Sequence, residues 1–301
     1  MQKKYKLFQI DSFTKNKFTG NPASVITNAD GLNEEEMQKI AREMNNSETA
    51  FVFSSESDGY DYHVRFFTPL KEVPICGHAT IATHYALAKE NKFENIKIYQ
   101  KTGAGILPVE IYKENDDYKI VMTQGKIEFG EIIQGQERKQ LLEALNISED
   151  DLIKDYKIQI VSTGHSKVMI GIKNKELLDL LKPNYQSLTK LSEEIKCNGY
   201  YVFTMNSSDN ECLINGRMFA PAVGINEDPV TGNANGPLGA YLIHHKLIEH
   251  NGEVYKFKAT QGEAMKRAGV IEVEVKINDN EPTEVKISGN AVIVFETELI
   301  L

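Results

Sequence analysis

The sequence predicts an α+β protein made of two similar halves, each a group of strands around one buried helix. Three observations predict this. Strand-like segments come in runs rather than alternating with helices, which argues against a doubly wound βαβ series. Two segments, 76–90 and 234–248, carry small and apolar residues on most of their helical faces, the pattern of a helix enclosed by other elements. The chain also repeats itself. Gly77-His78-Ala79 aligns with Gly232-Asn233-Ala234 at an offset of 155, and Arg65-Phe66-Phe67-Thr68-Pro69 resembles Arg217-Met218-Phe219-Ala220-Pro221 at 152. Ala50–Phe53 faces Tyr200–Phe203 at 150, and Tyr5–Phe8 faces Tyr156–Gln159 at 151. Solenoid repeats have periods of about 20–50 residues, so a repeat of about half the chain is a duplicated domain. The expected domains are 1–128 and 129–301, with a last strand, Ala291–Glu298, that can cross back to the first.

In order, Lys4–Phe13 alternates and is rich in strand formers. Phe18-Thr19-Gly20-Asn21-Pro22 is turn chemistry, and Ala23–Ile26 is a short strand. Asn33 is a helix N-cap, with Glu34–Glu36 in the first turn of a helix reaching Met44. Glu48–Ser54 and Tyr60–Thr68 are strands, and 76–90 is the first central helix. Ile96–Gln100, Gly105–Tyr112 and Tyr118–Met122 are strands. Residues 125–150 read as a connection with a helix near Glu137–Leu145. The second half has strands at 156–162, 167–172, 199–205 and 211–219, and helices within 175–182 and around 188–195. The second central helix is expected at 234–248, with Pro237 in its first turn, where a missing N–H costs nothing. The tail, Val254–Ala259, Gly269–Lys276, Thr283–Ser288 and Ala291–Glu298, is all strand.

The 301 residues suit two domains, and 41% hydrophobic with 26% charged content is ordinary for a globular protein. A net charge of −9 and the lack of a basic stripe disfavour nucleic acid as a partner. No run approaches the roughly 18 apolar residues of a membrane helix, and the apolar stretch after Lys3-Lys4 is too short for a signal peptide. Cys76, Cys197 and Cys212 form no C-x-x-C pair, so a disulfide framework is not expected and a cytoplasmic location is the default. Nucleotide-binding loops, H-E-x-x-H and G-x-S-x-G are absent, and His244-His245 lacks metal-ligand spacing, so no cofactor or metal is called for.

Five residues are candidates for chemistry. Glu48 stands between a helix end and an apolar strand, where burial would raise its pKa and suit it to proton transfer; the other reading is a capping or salt-bridging role. His78 heads the first central helix, either polarising an anionic substrate or simply packing against the turn. Asp228, before Pro229, would face His78 if the halves pair by a pseudo-two-fold, or be a turn-forming side chain. Cys76 is either a thiolate favoured by a helix N-terminus or a small core residue. Asn233 matches His78 by position. The starts of both central helices would offer N–H groups to a small anion, in one active site fed by both halves.

These residues resemble the PhzF family, named for a phenazine-biosynthesis isomerase, within the diaminopimelate-epimerase-like superfamily. The resemblance runs through Asp11-Ser12-Phe13, Phe18–Pro22, Ser47-Glu48-Thr49, Arg65–Pro69 and Glu72–Thr80. It continues through Val161–Gly164, Glu227–Ala234 and Gln261-Gly262, nearly the full length. It implies two pseudo-symmetric domains, each a β-barrel-like sheet around a central helix, a cleft site and cofactor-free proton chemistry. By position, Glu48 takes the acid/base role, with His78 and Asp228 as further catalytic residues. Asn21, Gly77, Ala79, Gly232, Asn233 and Ala234 contact a small carboxylate substrate, in a homodimer. The phenazine enzyme is expected to carry Ser where this chain has Asn233. The racemase cousins use two opposed cysteines, and only Cys76 has a counterpart here. A non-catalytic small-anion binder and a one-thiol racemase using Cys76 are the rival readings.

Overall fold

The computed structural model describes residues 2–56, 58–205, 211–250 and 252–301. The chain forms two compact units, Met1–Thr123 with Ser288–Leu301, and Gln124–Ile287.

The first unit runs β1 (Lys4–Ser12), β2 (Asn21–Ile26), α1 (Glu34–Met44), β3 (Thr49–Ser54), β4 (Tyr62–Phe67), β5 (Glu72–Val73), α2 (Gly77–Asn91), β6 (Ile96–Thr102), β7 (Gly105–Glu114) and β8 (Asp117–Thr123). Antiparallel pairs β1–β2, β3–β4, β4–β5, β6–β7 and β7–β8 are joined by parallel pairs β2–β3 and β4–β6. The start of α1 follows from its sequence. Asn33 accepts from the Glu36 amide, and the Glu36 carboxylate accepts from the Asn33 amide, a complete capping box. Gly77 through Ala88 of α2 are buried without interruption, and the helix packs on β1, β2, β3, β7 and β8. Its hydroxyls are satisfied locally: Thr80 Oγ1 donates to the Cys76 carbonyl and Thr83 Oγ1 to that of Ala79, each at 2.7 Å.

The second unit runs β9 (Glu128–Ile132), α3 (Gly135–Leu145), β10 (Gln159–Ser162), β11 (Ser166–Gly171), α4 (Lys175–Leu180), α5 (Tyr185–Ile195), β12 (Tyr200–Thr204), β13 (Ile214–Ala220), β14 (Ile225–Asp228), α6 (Gly232–His244), β15 (Val254–Gln261), β16 (Gly269–Asn278) and β17 (Glu281–Gly289), whose last two residues fall to the first unit. Its pairings follow the same plan. β10–β11, β12–β13, β13–β14 and β15–β16 are antiparallel, and β11–β12 and β13–β15 are parallel. The last strand, β18 (Ala291–Ile300), pairs antiparallel with β1, as β9 pairs antiparallel with β10. The first strand of each repeat thus has the ninth strand of the other repeat beside it. α3, α4 and α5 close a separate apolar cluster around Leu141, Leu145, Leu178 and Leu188.

Three sequence-based expectations differ in detail. The division falls at Thr123/Gln124 rather than at 128/129, because Gln124 N donates to the Val285 carbonyl and Gly125 N to that of Thr163, both at 2.9 Å. The connection over 125–150 contains β9, an edge strand whose side chains are largely exposed, so it has no apolar alternation to read. The second central helix covers Gly232–His244 rather than 234–248. It stops in a Schellman turn: Lys246 adopts φ 54°, Lys246 N bonds the Ile243 carbonyl and Leu247 N that of Leu242. The earlier start puts Pro237 at the sixth helical position, not in the first turn, so it gives the Asn233 carbonyl no helical hydrogen bond.

Candidate active site

In the first unit, Glu48 lies just before β3, and Cys76 and His78 flank the start of α2. Cys76 is the N-cap of α2 and makes no side-chain capping bond, so no side chain closes the amide end of this buried helix from that position. His78 Nε2 is 3.3 Å from Glu48 Oε2 and 3.3 Å from Ser47 Oγ. Cys76 Sγ is 3.4 Å from His78 Nδ1 and 3.9 Å from Nε2. Ser12 Oγ, at the end of β1, donates to the His78 carbonyl at 2.8 Å and fixes the first turn of α2. Burial pushes the Glu48 carboxyl above its ordinary value, while hydrogen bonds to Ser47 and Cys76 pull it partly back. A carboxyl whose proton affinity is raised by burial, set beside an imidazole and a thiol, is suited to taking up a proton and passing it on.

Asn21 opens β2, fully buried, opposite Ser12 in the ladder. Gly77 and Ala79 are buried in the first turn of α2. Nearby, Asp11 Oδ2 accepts from the Phe18 amide at 2.6 Å and holds the turn before Asn21, where Phe18 has φ 69° and is 69% exposed.

In the second unit, Asp228 ends β14, and its Oδ2 accepts a hydrogen bond from the Thr231 hydroxyl. Thr231 is the N-cap of α6 and, like Cys76, does not cap it with its side chain. Gln261 at the end of β15 ties the turn together. Its Oε1 accepts from Thr231 N at 3.2 Å and Asn235 Nδ2 at 3.0 Å, and its Nε2 donates to the Asp228 carbonyl at 2.8 Å. Tyr201 donates to Asn235 Oδ1 at 2.7 Å. On the other flank, Thr163 donates to Gln124 Oε1 at 2.7 Å, and Gln124 Nε2 donates to the Gly232 carbonyl at 3.0 Å and Asn233 Oδ1 at 3.3 Å. This packing needs glycine at 236, where a Cβ would lie 1.7 Å from Gln124 Oε1. Ala234 is fully buried and its amide already bonds the Thr231 carbonyl at 3.2 Å, whereas Asn233 is half-buried.

The duplicated sequence is a duplicated device. Arg65 on β4 grips Glu72 on β5 through Nε (2.7 Å) and Nη2 (2.6 Å). Arg217 on β13 grips Glu227 on β14 in the same way, both at 2.8 Å. Each guanidinium also lies over the ring two residues on, Phe67 or Phe219. Each pair anchors the segment that delivers its helix start.

The phenazine biosynthesis-like family model matches residues 10–297. The chain belongs to this PhzC-PhzF family. It is 69% identical over 301 residues, 100% of both chains, to an uncharacterized isomerase of Clostridium acetobutylicum. It is 31% identical to the trans-2,3-dihydro-3-hydroxyanthranilate isomerase of Pseudomonas chlororaphis, over 94% of this chain and 95% of the other. Among solved structures, the PhzF-family protein of Bacillus anthracis matches with TM-score 0.91 and 33% identity, over 99% of this chain and 100% of that one. A hydroxyproline epimerase from Agrobacterium vitis matches with TM-score 0.65 at 11% identity, over 100% of this chain and 92% of that one; the likeness is one of fold. The protein is therefore a PhzF-like isomerase with the α+β, diaminopimelate-epimerase-like fold. Among the described residues, no helix is long and apolar enough to cross a membrane.

Sequence reasoning did not single out Ser47, Gln124, Thr163, Tyr201 or Asn235 for roles of their own. Ser47, Thr163 and Gln261 lie inside motifs that carry the family resemblance, which was the available signal. Gln124 and Tyr201 had none, since their partners are 108 and 34 positions away. Lys167 on β11 was also missed. Burial lowers its ammonium pKa, opposed by Cys197 and Asp228, and its chain lies over Gly199, where a Cβ would meet Lys167 Cδ at 2.3 Å.

Proposed function

We propose that this isomerase moves a proton from one carbon to another of a small carboxylate substrate, without a cofactor, and that Glu48 carries the proton. The observation supporting this reading most is the buried, raised carboxyl of Glu48 in contact range of His78 and Cys76. Glu48 as carboxylate takes the proton from an acidic C–H. The carbanion charge delocalises onto the substrate, with His78 and Asp228 as polar partners, and Glu48 returns the proton at the second carbon. In the first unit the start of α2, with no capping side chain at Cys76, supports a role for Gly77 and Ala79 in holding a substrate carboxylate. In the second unit the start of α6, with none at Thr231, supports the same role for Gly232 and Asn233, while Ala234 closes the turn through its bond to the Thr231 carbonyl. Asn21 would complete the substrate contacts. The relative from Pseudomonas chlororaphis is named for trans-2,3-dihydro-3-hydroxyanthranilate, which supports a small carboxylate as the substrate class; Asn233 is where specificity would diverge. The family resemblance implies a homodimer, and Cys76, Cys197 and Cys212, none of them in a disulfide, make the cytoplasm the expected location.

The contact between Cys76 and His78 supports a second reading, a racemase or epimerase in which the Cys76 thiol is the second acid/base. One experiment tests both. A pool of small carboxylate metabolites is incubated with the protein in D₂O, and deuterium uptake is read by mass spectrometry for wild type, Glu48→Gln and Cys76→Ser. Uptake by one metabolite that is lost in Glu48→Gln and kept in Cys76→Ser supports the first reading. Loss in both variants, with inversion at one carbon, supports the second. Undiminished uptake with Glu48→Gln refutes Glu48 as the proton carrier.

A further inference from the structure

We propose that Glu48, Cys76 and His78 form a site for a thiophilic divalent cation, Zn²⁺ above all, and that the bound ion shuts off proton transfer. The second half of this statement rests on Glu48 being the proton carrier; the first half does not. One potential donor atom from each of the three side chains lies within 4.8 Å of the other two. Zinc bonds of about 2.0–2.3 Å in tetrahedral geometry set the edges between donors at about 3.4 Å for N and O and about 3.6 Å for N and S. The observed edges are 3.3 Å for His78 Nε2 to Glu48 Oε2 and 3.9 Å for His78 Nε2 to Cys76 Sγ. The first edge matches the tetrahedral value; the second is about 0.3 Å too long, and ligation requires the sulfur, now 3.4 Å from Nδ1, to swing toward Nε2.

Three further features fit such an ion. Sulfur, imidazole and carboxylate together are a zinc donor set, and a site with three protein ligands leaves the fourth position for water. Ser47 Oγ, 3.3 Å from Nε2, puts a hydroxyl beside the donors. The charges also balance. Thiolate and carboxylate offset the two positive charges of the ion, so a site with both Cys76 and His78 buried carries no net charge. The thiol proton leaves to solvent on binding. An ion bonded to Glu48 Oε2 lowers the basicity of the whole carboxylate and fills the space beside His78 and Cys76, so bound metal should suppress turnover.

The test is cobalt and zinc binding to the intact, chelator-washed protein. Co²⁺ is expected to bind once per chain, giving a sulfur-to-cobalt charge-transfer band in the near ultraviolet and the visible bands of a tetrahedral ion. Zn²⁺ should displace it, and zinc X-ray absorption of the wild type should show one sulfur neighbour. Cys76→Ser should abolish the charge-transfer band. Glu48→Gln and His78→Gln should each weaken binding by more than the roughly 10–100-fold that loss of an outer-shell partner costs. Cys197→Ala, elsewhere in the chain, should change nothing. Because the absorption measurement uses wild type, a variant that misfolds does not shield the idea. No binding by wild type, or an unchanged spectrum in Cys76→Ser, overturns the metal site and leaves the proton-transfer reading to the D₂O experiment. Binding through sulfur with undiminished deuterium uptake overturns the competition. Loss of the Glu48 role in D₂O with metal binding intact refutes proton transfer alone.

Discussion

The two arginine–carboxylate pairs offer a controlled comparison within one molecule, because the same bidentate geometry occurs at two depths. The Arg217 and Glu227 side chains are 9% and 12% exposed; those of Arg65 and Glu72 are 22% and 39% exposed. Glu227→Ala leaves a guanidinium buried without its counter-ion, a change that costs about 3–5 kcal/mol. Arg217 Nη1 keeps its bonds to the Leu178 and Leu181 carbonyls, at 2.9 and 3.0 Å, which places the expected loss near the lower end, about 3 kcal/mol. Glu72→Ala frees Arg65 to water and to Glu34, still 3.0 Å away, so the loss should be about 1 kcal/mol or less. At about 2–4 °C per kcal/mol, Glu227→Ala should lower the melting transition by about 6–12 °C and Glu72→Ala by no more than about 4 °C. Calorimetry measures both, and amide hydrogen exchange should place the Glu227→Ala loss in Gln124–Ile287. The reasoning fails if Glu72→Ala costs as much as Glu227→Ala.

Three other changes have expected outcomes. His84, fully buried on α2, gives its Nδ1 to the Thr80 carbonyl, and burial lowers its pKa to about 4. The unfolded chain takes up this proton below about pH 6.5 while the folded chain does not until about pH 4, so stability falls as pH falls through that window, by up to about 3 kcal/mol. Urea titrations at pH 7 and pH 4.5 should show the wild type losing ground to His84→Leu at the lower pH; a constant difference contradicts the assignment. Gly236→Ala forces Gln124 out of its pocket and should cost about 1–3 kcal/mol, while Gly252→Ala, with only backbone atoms at 4.0 Å, should be within about 1 kcal/mol of wild type. Asn33→Ala removes the side-chain acceptor of the α1 capping box and should cost about 1 kcal/mol, visible as an earlier melt of α1 by hydrogen exchange.

Much of the fold was legible because its signals are local. Asn33 followed by three glutamates marks the start of α1 at the right residue. Small and apolar residues all round mark α2 and α6 as buried helices. What the sequence obscured was set by neighbours. β9 is a strand because β10 lies beside it, and its own residues face water. The end of α6 is set by a non-glycine residue, Lys246, adopting a left-handed conformation that sequence does not advertise. The candidate site divides the same way. Glu48, Cys76, His78 and Asp228 stood out by type and position, but Ser47 beside His78 and Thr231, which donates to Asp228, did not.

The sequence by itself determined the duplication, the two buried helices and the family, since each is carried by residue order along one stretch of chain or its copy. Tertiary structure alone decided which side chains meet. It brought Ser47 and Glu48 to His78 from about thirty positions away, put Gln261 under the turn that carries Asp228, and exchanged the ninth strands of the two repeats. It also decided the proton affinities of Glu48 and His84, because desolvation depends on what is packed around a group and not on the residues beside it in the chain.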